Sequence, residues 1–199
     1  MHATRDGTIA ACEASLRRLG TDYVDLFLLH WEGKVPYERT LEGFAALRER
    51  GLIRAWGVSN FDLPELATWC ATEQRLGLAR CASNQVYYSL LARGPEFDLL
   101  PAMVEQQMPL MAYTPLGSGE LAQDARLAAI AQPLGLTAAQ LALAWTVRSG
   151  GVIAIPKSST PQRIDDNLAA ASVTLDADTL ARIDALYPPP QRKRPLAMI

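Results

Sequence analysis

Five short runs of β-branched and aliphatic residues punctuate the chain: Val24 to Leu29, Arg54 to Val58, Ala82 to Val86, Pro109 to Tyr113, and Val152 to Ile155. All but the third, where Ser83, Asn84 and Gln85 intervene, are apolar almost throughout instead of alternating, which is the pattern of a strand covered on both faces in a parallel sheet. Tight hairpin turns are missing between the runs, and the gaps carry helical periodicity. Ile9, Cys12, Leu16 and Leu19 recur on one face, with Gly20 placed to end the helix in a left-handed cap. Pro36 opens a second helix with Leu41, Phe44 and Leu47 on one side and Gly51 past its end. Thr137 caps another that contains Leu141 and Trp145, and Thr160 followed by Pro161 starts one more.

Strand and helix thus alternate, and the first strands begin about 30 residues apart, the spacing of one unit in a (β/α)8 barrel. A doubly wound open sheet fits less well, because its G-x-G-x-x-G turn is absent. The chain opens with a helix and shows five strands. The expectation is therefore an α/β fold: an incomplete (β/α)8 TIM-type barrel, a single domain over residues 1–199 made of five later β/α units. On this reading Met1–Thr8 leads straight into the first helix, and about three units would precede it. The runs at Val24 to Leu29 and Val152 to Ile155 would then be open sheet edges, and self-association through them is expected.

Composition narrows the function classes. With 199 residues, 49% of them hydrophobic and 20% charged, the chain can bury a core without disulfides or metals. A net charge of -2 with no basic stripe excludes nucleic acid as the expected partner, and Arg192, Lys193 and Arg194 read as a solvated tail. Cys12, Cys70 and Cys81 are odd in number and form no C-x-x-C pair, so neither a disulfide framework nor a zinc site is expected, and a reducing cytoplasm fits. No apolar run is long enough to cross a bilayer, so no membrane partner is expected either.

In a parallel barrel, functional groups gather where the strands end. The residues standing there are His30 and Trp31, Ser59 and Asn60, Gln85, Tyr113, and Lys157 with Ser158 and Ser159. Taken singly, each more readily caps a helix or satisfies a turn. Their common register at the ends of five runs is what points to a site. The segment from Thr114 to Asp124, rich in Gly, Ser and Pro, reads as a long loop of the same mouth.

Five motifs in order make the sequence resemble the aldo-keto reductases. They are Leu-Leu-His-Trp at 28 to 31, preceded by Leu-Gly-Thr-Asp-Tyr-Val-Asp-Leu; Gly-Val-Ser-Asn-Phe from 57; Asn-Gln-Val-Tyr-Tyr from 84; Ala-Tyr-Thr-Pro-Leu-Gly from 112; and Ile-Pro-Lys-Ser from 155, with Arg163 and Asn167 following. The resemblance covers nearly the whole chain. It implies a (β/α)8 barrel that holds NADP(H) and reduces an aldehyde or ketone, the small-molecule partner, to an alcohol.

By resemblance His30 is the catalytic histidine that hydrogen-bonds the substrate carbonyl. Ser59, Asn60 and Gln85 hold the nicotinamide carboxamide, and Tyr113 stacks on the nicotinamide ring. Leu116 and Gly117 open the loop that faces the pyrophosphate, where glycine permits close approach. Lys157, Ser158 and Arg163 form the pocket for the 2'-phosphate that favours NADPH over NADH. Asn167 contacts adenine, and Asp166 stands where the family often has glutamate.

The family also draws its proton from a tyrosine beside a lysine and an aspartate, and no residue here matches those three. Lys34 lies in a loop, Lys157 in the phosphate motif and Lys193 in the tail, while Tyr23, Tyr37, Tyr87, Tyr88 and Tyr187 match no donor motif. Three readings follow: an NADPH-dependent carbonyl reductase represented by part of its chain, an NADPH-binding or redox-sensing module without turnover, and an inactive remnant. The unbroken cofactor residues favour the first as a family label, and little carbonyl reduction is expected of this chain alone.

Overall fold

The computed structural model describes residues 3–199, so Met1 and His2 of the leader lie outside the described residues. The chain divides into two compact units, one ending at Gln85 and the other spanning Val86–Ile199.

The first unit contains α1 (Arg5–Leu19), β1 (Val24–Leu29), α2 (Tyr37–Glu49), β2 (Ile53–Ser59), α3 (Leu63–Arg75) and the start of β3 (Asn84–Tyr87). β1 and β2 pair in parallel with Leu26 opposite Ala55 and Leu28 opposite Gly57, and β2 meets β3 in parallel with Ser59 opposite Gln85. α1 starts at Thr4, whose side chain accepts from the Gly7 N-H, and stops at Gly20, where φ is 66°.

The buried face of α1 keeps Cys12 and Leu16 of the expected stripe but shifts away from Leu19 toward Thr8. Thr8, Cys12 and Leu16 are buried, Ile9 is half-buried and Leu19 is 66% exposed. Close packing against α2 decides this: a Cβ on Gly43 would lie 2.8 Å from the Thr8 Cβ, so the helices meet where both side chains are small. On α2 the expected stripe holds, with Leu41, Phe44 and Leu47 buried. Phe44 stacks on Trp56 with 6.0 Å between ring centres, and Trp69 meets Phe61 edge-on at 5.7 Å.

The second unit takes the chain through the rest of β3, then α4 (Leu99–Glu105), β4 (Leu110–Tyr113), α5 (Glu120–Gln123), α6 (Ala125–Ala131), α7 (Ala138–Val147), β5 (Val152–Ala154), α8 (Pro161–Ala169) and α9 (Ala177–Leu186). β4 and β5 are parallel, with Leu110 opposite Val152 and Ala112 opposite Ala154. Thr137 and Gln140 form a reciprocal capping box at the start of α7, which buries Leu141 and Trp145.

Two further expectations are corrected in this unit. The segment from Thr114 to Asp124 is not an extended loop: it winds into a 3-10 turn at Gly117–Gly119 and the single helical turn of α5. Nor is the basic tail simply solvated, because the Lys193 ammonium donates to Asp98 at 2.7 Å and ties that stretch down. No single described helix is long and apolar enough to cross a membrane, and no group of three metal-ligating side chains occurs among the described residues.

Candidate functional site

The expected site residues fall into two sets, one in each unit. In the first unit they interlock. Ser59 ends β2, is 2% exposed, and donates through Oγ to the Gln85 carbonyl at 2.9 Å. Its Oγ also lies 3.2 Å from the Asn60 amide nitrogen, which in turn reaches the His30 carbonyl at 3.3 Å. The Asn60 N-H donates to the Gln85 carbonyl at 2.8 Å. Thus one carbonyl at the start of β3 organises both residues at the end of β2, and Asn60 links them back to the end of β1.

Local sequence explains the sharp exit from β2. Asn60 has φ 61°, a left-handed conformation that asparagine tolerates better than most side chains. Asp62 then caps α3, accepting from the Leu63 N-H at 2.8 Å. Asn84 closes the corner from the other side: fully buried, it donates to the Phe61 carbonyl at 2.7 Å and accepts from the Phe61 N-H at 3.4 Å. Sequence reasoning quoted Asn84 in a motif without giving it a task. Its signal was a stretch of three polar side chains, Ser83 to Gln85, within an expected buried strand, which demands buried partners.

Gly57 is required two residues before Ser59. A Cβ there would stand 2.5 Å from the Ser83 carbonyl oxygen and 2.7 Å from Leu28 Cδ2. The Ser83 carbonyl already accepts from the Val58 N-H at 3.0 Å, so the backbone cannot withdraw without breaking the pairing that aligns Ser59 with Gln85. Gly57→Ala is expected to cost about 2 kcal/mol, the usual scale for overpacking a tight core. Urea unfolding would check this, and an unchanged midpoint would refute it.

His30 is exposed at the end of β1, its ring 5.5 Å from that of Trp31. A cleft of about 420 Å³ lies nearby in sequence, lined by Glu32, Lys34, Tyr37, Pro64, Glu65 and Thr68 among others. Within it the Tyr37 hydroxyl donates to the Glu32 carboxylate. Burial, followed by that bond and the charges of Glu32 and Glu65, pushes the Tyr37 hydroxyl well above the usual phenol range.

In the second unit Tyr113 ends β4 and stacks on Tyr87, with 5.7 Å between ring centres and planes 18° apart. Burial and Tyr87 raise its hydroxyl pKa. Beyond it the backbone enters left-handed territory at Thr114, Gly117, Ser118 and Gly119. The Gly117 N-H donates to the Thr114 carbonyl and the Gly119 N-H to the Leu116 carbonyl, both at 3.0 Å. Glycine is demanded at 117 by packing as well, since a Cβ would meet Leu91 Cδ1 at 2.4 Å. The reason first given for Gly117, access of its backbone to a phosphate, is thus supplemented by a turn bond and a packed neighbour.

After β5 come Lys157, exposed, and Ser158, half-buried. The Ser158 hydroxyl accepts from the Thr160 N-H at 3.1 Å, closing the turn that leads into α8, where the Thr160 side chain itself makes no capping bond. Arg163 stands exposed in the first turn of α8, and Asn167 follows four residues later on the same face, half-buried. Asp166 accepts from the Gln162 amide at 3.2 Å. Lys157 and Ser158 thus precede α8, Arg163 lies in its first turn, and Asn167 follows one turn further on.

Comparison with known proteins gives a consistent picture. The Aldo/keto reductase family model matches residues 1–188. Methylglyoxal reductase YeaE of Escherichia coli is 45% identical over 197 residues, which span 96% of this chain and 68% of that protein. An aldo-keto reductase of Mycolicibacterium smegmatis is 35% identical over 185 residues, covering 91% of this chain and 64% of that one. Among solved structures, an aldo-keto reductase from Klebsiella pneumoniae in complex with NADPH superposes with a TM-score of 0.91 at 43% identity, over 100% of this chain and 70% of that one. The chain thus spans about two thirds of the length of the relatives it matches.

Proposed function

Because this chain belongs to the aldo/keto reductase family, we propose that it holds NADP(H) through its own residues and takes part in reducing a small aldehyde or ketone to the alcohol. The observation that carries the proposal is the interlocked corner between the ends of β1 and β2 and the start of β3, where Ser59, Asn60 and the Gln85 carbonyl fix one another at 2.8 to 3.2 Å. Such an arrangement of neutral donors and acceptors suits a carboxamide, and its rigidity suits a ring that must present one face.

In this reading Ser59, Asn60 and Gln85 hold the amide, and Tyr113 offers its ring to the nicotinamide. The Leu116-Gly117 turn takes the pyrophosphate, Lys157, Ser158 and Arg163 take the 2'-phosphate, and Asn167 takes adenine. Bound NADPH supplies a hydride to the substrate carbonyl carbon. His30 donates a hydrogen bond to the carbonyl oxygen, orienting and polarising it. The unpaired thiols of Cys12, Cys70 and Cys81 accord with a reducing compartment such as the cytoplasm.

Titrating NADPH and NADH against the purified chain and following cofactor fluorescence tests this. NADPH is expected to bind saturably and at least about tenfold more tightly than NADH, since each charge-assisted bond to the extra phosphate adds about 1.5–3 kcal/mol. Lys157→Ala with Arg163→Ala is expected to erase the preference while leaving NADH binding unchanged. Absence of NADPH binding would overturn the proposal, and equal affinities would overturn the phosphate assignment.

The second reading, binding without turnover, is favoured by the hydroxyls of Tyr37 and Tyr187, which donate to the Glu32 and Asp124 carboxylates and are committed there. Each tyrosine for which a shift is resolved, namely Tyr37, Tyr88, Tyr113 and Tyr187, has its hydroxyl pushed up, primarily by burial. That is the wrong direction for a proton donor working near neutral pH.

A further inference from the structure

Helix α3 carries a carboxylate where an exposed charge would be expected. Glu73 is 2% exposed and lies among the aromatic rings of the first unit. One oxygen accepts from the Trp56 indole at 2.6 Å and from the Trp69 indole at 2.7 Å. The other accepts from the Cys81 backbone N-H at 2.9 Å. Burial raises the carboxyl pKa, while Trp56, Cys81, Trp69 and Arg80 act against that rise. All three hydrogen-bonding neighbours are N-H donors, so a group that only accepts satisfies every one of them.

The places of these donors matter. Trp56 lies in β2, three residues before Ser59, and Cys81 lies four residues before Gln85. From there the strands zip together: the Ala82 N-H donates to the Trp56 carbonyl at 2.8 Å, Val58 to Ser83 at 3.0 Å, and Asn60 to Gln85 at 2.8 Å. α3 itself begins just beyond the left-handed turn at Asn60. Glu73 therefore closes a ring that runs out along β2, through Ser59 and Asn60, down α3, and back by Cys81 to Gln85.

We propose that Glu73 is a positioning residue: by tying Trp56 of β2 to the Cys81 backbone it sets the register in which Ser59 and Asn60 meet the Gln85 carbonyl. This rests on the reading that those three residues hold the nicotinamide amide. Glutamine at 73 keeps the size but turns an NH2 group toward an N-H donor, so at least one of the ties is lost.

The test compares two probes on the purified chain: NADPH, and 2'-phospho-ADP-ribose, which lacks the nicotinamide. Glu73→Gln is expected to weaken NADPH binding about tenfold, the equivalent of one lost bond to a charged acceptor. The emission of bound NADPH is expected to move toward that of the free cofactor, and binding of 2'-phospho-ADP-ribose is expected to stay unchanged. Equal loss for both probes, or unchanged NADPH binding, overturns the positioning role and leaves the cofactor reading standing. Failure of the unsubstituted chain to bind NADPH overturns the cofactor reading and the positioning role with it.

If circular dichroism shows that Glu73→Gln does not fold, Trp56→Phe and Trp69→Phe decide. Both remove one indole donor from the same buried carboxylate, but only Trp56 belongs to β2. Trp56→Phe is expected to weaken NADPH binding at least about threefold more than Trp69→Phe. Equal effects overturn the proposal.

Discussion

Arg93→Ala is expected to lower the stability of the second unit by about 3–5 kcal/mol, the scale for breaking a buried ion pair from one side. Arg93 is 7% exposed, and every nitrogen of its guanidinium donates a hydrogen bond. It donates to Glu96 through Nε at 3.0 Å and Nη2 at 2.8 Å, to Asp184 through Nη1 at 2.7 Å, and to the Tyr187 carbonyl. It also lies 4.9 Å from the centre of the Trp145 ring, which Arg148 approaches at 3.9 Å. Removing it leaves Glu96, only 13% exposed, with the Tyr88 hydroxyl and Arg148 as remaining partners.

The cost would be felt most at α9. Asp184 and Tyr187, the two acceptors on the last turn and cap of that helix, lose their tie to the segment before α4. Hydrogen exchange in α9 should therefore speed up along with a drop in the denaturation midpoint. Arg93→Lys is expected to recover only part of the loss, since an ammonium cannot reproduce the two-pronged bond to Glu96. A denaturation midpoint unchanged in Arg93→Ala would show that the network contributes nothing net.

How much of this was legible in the residues depends on whether an interaction is local. β1 was readable to the residue because its apolar run is bounded by turn formers, and the Gly20 cap followed from glycine's freedom at positive φ. The α1 face was misread at Leu19 because periodicity cannot say which of two neighbouring stripes meets a partner; Gly43 on another helix made that choice. The turns at Gly117–Gly119 and in α5 were hidden by a composition that suits loops and tight turns alike.

The candidate site was named through motifs, yet its mechanics were not. Gln85 was named beside Ser59 and Asn60, but not foreseen was that its backbone carbonyl accepts from both. Glu73 gave no signal, because a lone acidic residue in a helix ordinarily faces water and only the fold surrounds it with two indoles and a buried N-H. Lys193 likewise read as solvated, its partner Asp98 being 95 residues away.

Reduction of a short aldehyde by the 199-residue chain is expected to run roughly 10² to 10⁴-fold slower than in a reductase with a dedicated proton donor, the usual contribution of general acid catalysis. Delivery of hydride to a carbonyl leaves an oxyanion that must be protonated, and a tyrosine does this well only when a neighbouring cation lowers its pKa. Lys34 and Tyr37 line one cleft. There the hydroxyl is committed to Glu32, and burial with that carboxylate drives its pKa the other way. Tyr187 is pushed up to about 12 by burial and by Asp124, and Tyr88 rises through burial and Glu96. Of the remaining lysines, Lys157 belongs to the proposed phosphate group and Lys193 is spent on Asp98. NADPH consumption measured with aldehyde in excess checks the expectation. Turnover at the level of a reductase with a dedicated proton donor, lost in Tyr37→Phe, would mean that the Glu32 contact gives way when substrate arrives and that Tyr37 supplies the proton after all.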